Sequence, residues 1–182
     1  MPLIEYVDPE RADEETGELL EADAEYYGRP SLFARAVANN ADVFAARREY
    51  HRRLVSGGDL GERLAELVYL AVSVTNDCEY CVASHREVLV ERVGLSPEAA
   101  DALARDELSG FSERERAAVA FARQVARDPK GIDAAHREAL HEAGLDDAAI
   151  VRLLAVATAA ISANAVADAL GIHPADAGGP DA

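Results

Sequence analysis

The chain has no tryptophan, one methionine, two cysteines and a single lysine, Lys130, among 182 residues. Aromatic residues make up only 5% of it and alanine is abundant, which suits closely packed helices. It has no run of 18 apolar residues and no basic-then-apolar leader, so membrane-spanning and secretory readings fail and a cytoplasmic protein is expected. No strand alternation, internal repeat, glycine-rich phosphate loop or Ser-His-Asp arrangement stands out, which turns the reading away from sheet folds, nucleotide sites and serine hydrolases.

Positive charge is also scarce. With 34 acidic against 18 basic residues the formal net charge is −16, which argues against nucleic acid and anionic membranes as partners. An acidic surplus with almost no lysine resembles proteins kept soluble at high salt, since about 1 M salt shrinks the screening length to about 3 Å and removes self-repulsion. That composition points to a halophilic protein. A GC-rich genome favouring arginine and alanine codons accounts for part of it without any such adaptation.

What is present reads as helix throughout. At 49% hydrophobic residues the chain can bury one good core, and an all-α, single-domain helical bundle is expected. Residues 1–29 read as an N-terminal extension, with Glu10 to Tyr27 an acidic helix presenting a solvated face. Residues 30–173 read as the main domain and 174–182 as a disordered tail. Ser31 caps a short helix, and another runs from about Asp42 to Val55 and stops at Ser56-Gly57-Gly58. Its Phe44, Arg48 and His51 lie close enough to one face to wall a site, but core packing and solvated charge are the roles expected of them. Ser96-Pro97 and the capping box Ser112 to Glu115 open later helices, and Gly144 and Gly171 close two more. His136 and His141 fall on a charged helix and read as surface residues. Asn164 interrupts the apolar run of the last helix, where a buried amide needs partners on neighbouring backbone or helices; lining a pocket is the alternative.

The two cysteines lie in one constellation: Glu66, eleven residues, Cys78-Glu79-Tyr80-Cys81, three residues, His85. Leu60 to Asn76 has the spacing of an amphipathic helix, with Leu64, Leu67, Val68 and Ala71 on its buried stripe. Asn76-Asp77 supplies a turn and candidate N-caps, and a second helix runs from about Glu79 to Arg92. Cys78 and Cys81 then fall in a first helical turn, where unpaired N–H groups and the helix dipole stabilise a thiolate. His85 shares a face with Cys81. In an antiparallel hairpin Glu66 lies roughly 15 Å and His85 about 10 Å back from the turn, so they meet across it. Burial of Glu66 would raise its pKa and make it a usable base. The same four residues could in principle hold zinc, and a lone Cys-x-x-Cys is also compatible with inert thiols.

The constellation resembles the core motif of the alkylhydroperoxidase D-like branch of the carboxymuconolactone decarboxylase family. Leu67 to Asn76, Ser112 to Asp128 and Asn164 to Gly171 resemble its peroxidase-related subgroup, and the likeness spans roughly 30–173. The resemblance implies a cofactor-free, metal-free helical fold that forms a homo-oligomer (dimer, trimer or hexamer) and reduces a hydroperoxide through a dithiol–disulfide cycle, drawing electrons from a protein or small-molecule dithiol donor. It implies Cys81 as the peroxidatic and Cys78 as the resolving cysteine, with Glu66 and His85 as a proton relay. Some relatives carry histidine where this chain has Tyr80, which alters the relay. Two further readings stand beside the enzyme: a non-catalytic redox sensor or partner-binding module, and a zinc-stabilised structural protein.

Overall fold

The computed structural model describes residues 2–55 and 60–178; the stop expected at Ser56-Gly57-Gly58 lies outside them. Among the described residues there are nine α-helices and no strand: α1 (Glu14–Tyr27), α2 (Leu32–Val37), α3 (Ala41–Val55), α4 (Glu62–Thr75), α5 (Glu79–Glu87), α6 (Pro97–Ala104), α7 (Glu113–Arg127), α8 (Ala134–Glu142) and α9 (Asp147–Leu170). The all-α expectation holds.

The bundle is organised around α4, whose residues from Leu64 to Ser73 are all buried. It packs against α7, α9 and α5, and α7 also meets α9. A helix buried on several sides needs small neighbours, and Ala118, Ala122, Ala157 and Ala160 have no exposed surface. Few aromatics are therefore required in this core.

Local chemistry sets the helix ends. Ser31 accepts from the Ala34 N–H, Ser96 from Ala99, and Ser112 and Glu115 close a reciprocal capping box. Gly171 closes α9 with φ 67°, in the left-handed region that glycine adopts without strain. His136 and His141 sit at Asp133 and Asp147 on or beside α8. After α5 the chain continues through a π-helical turn, Val88–Arg92, so the second hairpin helix reaches the residue expected of it.

Three sequence expectations need correction. First, α1 starts at Glu14 rather than Glu10, because Pro9–Arg11 forms a 3₁₀ turn and Asp13 caps the helix by accepting from the Thr16 N–H. Second, residues 174–178 are ordered: Pro174–Gly178 is a 3₁₀ turn, Tyr6 donates to Asp176 at 2.8 Å, and Ala177 packs on the cluster containing Cys78 and Cys81. Residues 179–182 lie outside the described residues. Third, α9 is long and apolar enough, by length and composition, to cross a membrane. Here it packs against α3, α4, α5 and α7.

Candidate active site

The α4–α5 turn fixes the first sulfur through its backbone. Asp77 takes a left-handed conformation, φ 58°. Its N–H donates to the Val74 carbonyl at 3.2 Å and the Cys78 N–H to the Ser73 carbonyl at 3.1 Å, the paired bonds of a Schellman closure. Asn76 and Asp77 do not serve as the expected caps, because the N-cap position of α5 is Cys78 itself. The Asn76 amide is used elsewhere. It donates to Asn164 Oδ1 at 2.9 Å, and Asn164 donates to Ser73 Oγ at 3.0 Å. Asn164 thus pins α9 to the end of α4, which is the partner-satisfying role expected of it.

Cys78 and Cys81 are both buried and both free thiols. Cys81 lies one turn into α5 and lines a cavity; Cys78 lies behind it, with no exposed surface. A hydrogen bond from the Cys78 thiol is the main reason the Cys81 pKa is held below its usual value; burial opposes this, while His85 and the Asn164 amide add to it. The Cys78 pKa is pushed up by the same bond, by burial and by the neighbouring Cys81 charge. The shared bond thus favours the thiolate on Cys81 and the thiol on Cys78.

Glu66 and His85 meet across the hairpin, with Oε2 and Nδ1 2.7 Å apart. Glu66 has no exposed surface and also accepts from the Tyr26 hydroxyl at 2.7 Å. Burial alone would raise its pKa, as the sequence suggested. The charge and N–H of His85, with His51 and Tyr26, outweigh burial and hold the carboxyl below its usual range. His85 moves the other way: burial disfavours its charge, but Glu66 and Cys81 raise its pKa above the ordinary value. The two shifts favour the charged form of each, with the proton on histidine.

Rings enclose that pair. Tyr69 stacks on His85 with centroids 4.5 Å apart and planes at 25°, and His51 lies edge-on to both Tyr69 and Tyr26, at 5.3 and 5.6 Å. Tyr80 does not take up the relay position of the histidine in some relatives. Its hydroxyl accepts from the Phe33 N–H at 3.1 Å, tying α5 to α2, and burial pushes its pKa up to about 12. The phenol on Glu66 comes instead from α1.

In front of Cys81 is a cavity of about 200 Å³. Phe44, Arg48 and His51 of α3 line it, as one reading of their shared face proposed, together with Tyr27, Phe33, Arg47 and Tyr69. Sequence reasoning missed Tyr26, Tyr27 and Arg47. The available signals were two adjacent tyrosines at the end of an acidic helix, and Arg47 one residue from a position already marked. Among the described residues no group of three or more His, Cys, Asp or Glu side chains is placed to hold a metal ion. Glu66 and His85 direct their facing atoms at each other.

Residues 41–124 match the model of the Carboxymuconolactone decarboxylase family. Across almost the whole chain the fold is that of two solved structures. One is an uncharacterized peroxidase-related protein from Ralstonia eutropha JMP134 with an alkylhydroperoxidase AhpD core (TM-score 0.86, 24% identity, covering 95% of this chain and 92% of that one). The other is an uncharacterized peroxidase-related protein from Silicibacter sp. TM1040 (TM-score 0.84, 24% identity, covering 93% and 90%). The debrominase Bmp8, solved as a cysteine-to-alanine variant in complex with 2,3,4-tribromopyrrole, shares the fold at 17% identity (TM-score 0.80, covering 94% and 92%). No curated protein matches the chain significantly. Over residues 41–124 the chain is similar to the carboxymuconolactone decarboxylase family, and its fold is that of the alkylhydroperoxidase D-like branch.

Proposed function

We propose that the protein is a cofactor-free thiol peroxidase that reduces organic hydroperoxides through a Cys78/Cys81 dithiol–disulfide cycle. The observation that supports this most is the asymmetry of the two sulfurs. The one with the lowered pKa faces a cavity, and its thiol partner stands behind it.

The Cys81 thiolate attacks the terminal oxygen of the hydroperoxide. The S–O bond forms, the O–O bond breaks, and the alkoxide leaves. His85, charged against Glu66, gives it a proton, and the product is an alcohol. Cys81 is now a sulfenic acid. The Cys78 thiol attacks its sulfur, the disulfide closes, and hydroxide leaves with the Cys78 proton as water. A dithiol donor then reduces the disulfide by exchange and restores both thiols. Tyr26 holds Glu66 in its ionised form throughout. This reading includes an oligomeric enzyme working in a reducing cytoplasm.

The test is hydroperoxide consumption driven by dithiothreitol. Cys81→Ser should abolish it and Cys78→Ser should stop after one oxidation. Glu66→Gln and His85→Ala should slow it by about 10²- to 10⁴-fold, the usual contribution of a positioned acid or base. Equal consumption by wild type and Cys81→Ser would refute the enzyme. Rapid disulfide formation with a peroxide but no turnover with any dithiol would favour the redox-sensor reading.

A further inference from the structure

The cavity beside Cys81 has two features that the peroxidase chemistry leaves unused. Among the described residues, the buried side-chain nitrogens without a hydrogen-bond partner are Arg47 Nε and His51 Nε2, and both residues line this cavity. A buried polar group left without a partner is destabilising, so two in one wall call for a ligand or a function.

Arg47 also carries a charge that no carboxylate among the described residues offsets. In a chain of net charge −16, Arg52, Arg53, Arg63, Arg86, Arg92, Arg105 and Arg123 all have carboxylate partners. Among the described residues no carboxylate pairs with Arg47, which donates to the Ser162 hydroxyl at 3.2 Å, or with Arg48, which donates to the Ala22 carbonyl at 2.9 Å. The one acid in the cavity wall, Asp23, accepts from the Ser31 N–H at 2.8 Å. The Arg47 guanidinium lies over the Phe33 ring, 5.4 Å from its centroid, which holds it in place without neutralising it. The cavity wall thus holds two guanidinium groups without a paired carboxylate.

The remaining wall is mostly rings, from Tyr27, Phe33, Phe44, Tyr69 and Tyr80. A volume of about 200 Å³ holds a single ring with a small substituent, since a cavity of roughly 150 Å³ suffices for benzene. We infer that this cavity binds a single-ring organic hydroperoxide that carries a carboxylate, with Arg47 recognising the anion. One carboxylate oxygen accepts from the Arg47 Nε–H, a charge-assisted bond suited to a guanidinium edge. Neutral His51 supplies the second hydrogen-bonding group beside the ring. The inference rests on the peroxidase reading for the peroxide end of the ligand and on the cavity alone for the carboxylate end.

Two measurements separate those ends. Calorimetry with 4-isopropylbenzoate, which cannot react, tests the cavity without any chemistry. Wild type should bind it about 10- to 100-fold more tightly than its methyl ester, the range for a hydrogen bond to a charged group. In Arg47→Met the preference should fall to near unity, while retained ester binding shows that the variant is folded. Turnover of 4-(2-hydroperoxypropan-2-yl)benzoate against cumene hydroperoxide should show the same preference in kcat/KM, and Arg47→Met should lose it. Equal binding of acid and ester by wild type, or a wild-type preference in Arg47→Met, overturns the inference. Tight binding of the benzoate with no consumption of its hydroperoxide supports the anion site and overturns the peroxidase reading.

Discussion

Tyr26 donates its phenolic hydrogen to Glu66 Oε1 at 2.7 Å, across 40 positions of sequence and from a helix whose pattern reads as a solvated acidic face. The carboxylate thus has a donor on each oxygen, one from α1 and one from α5. A buried carboxylate is stable as an anion only when so satisfied.

Tyr26→Phe removes one donor and leaves that oxygen buried. The expected cost is about 1–3 kcal/mol in unfolding free energy. The Glu66 pKa should rise, so the acid limb of the activity–pH profile should move to higher pH. Denaturant unfolding and a pH–rate series check both. An unchanged profile would place Tyr26 outside the relay.

Much of this site was legible from spacing. Glu66, Cys78, Cys81 and His85 occur at intervals that a helical hairpin brings together, and the hairpin is marked by its own periodicity and turn. The enclosing residues were not legible for a physical reason. Tyr26 and Tyr27 reach the site through the packing of α1 on α3 and α2, a long-range contact that no local pattern encodes. Glu66 shows the same limit in electrostatics. Burial is readable from its apolar neighbours and predicts a raised pKa, but the result depends on two donors from other elements. The ordered turn at 174–178 likewise depends on Tyr6 from the opposite end of the chain.

The bond between the sulfurs gives a second prediction. Since the Cys78 thiol is the main stabiliser of the Cys81 thiolate, Cys78→Ala should raise the midpoint of Cys81 alkylation by iodoacetamide, whereas Cys78→Ser, which keeps a hydroxyl donor, should raise it less. Alkylation rates across pH 5 to about 10 decide this. Identical midpoints in the two variants would assign the lowered pKa to His85 alone.

The turn offers a third. Asp77 sits at φ 58°, a region costly to most side chains and impossible to fill comfortably with a β-branched one. Asp77→Val should cost about 1–2 kcal/mol and Asp77→Gly should not destabilise. Since the Cys78 N–H is fixed by this closure, the valine variant should also close its disulfide more slowly after peroxide treatment. Thermal unfolding and stopped-flow oxidation measure the two effects.

His51 predicts how stability varies with acid. Burial is the largest influence on its ring and lowers the folded pKa from 6.5 to about 4, with Glu66 opposing and His85 and Arg48 assisting. The unfolded chain then binds the proton more readily than the folded one between those values. The sign follows: stability from this group is full above pH 6.5 and is lost as pH falls towards 4. The loss between pH 7 and 4.5 should be about 2 kcal/mol. His51→Gln should reduce the slope over that window by a similar amount, and an unaltered slope would show that His51 titrates normally.

The last prediction concerns salt. The arginines that pair do so mostly with surface acids, and pairs of that kind are worth about 0–1 kcal/mol each and weaken on screening. The net charge of −16 acts in the opposite sense, as self-repulsion that screening relieves. The acids far outnumber the bases, so the repulsive contribution should dominate. Thermal midpoints should therefore rise with KCl well past the 0.15 M range, where the screening length is already about 8 Å, and continue towards about 3 M. An ordinary surface would gain little beyond the first few tenths molar. A midpoint that levels off or falls above about 0.5 M would favour codon bias as the origin of the composition, while a continued rise would support adaptation to a saline interior.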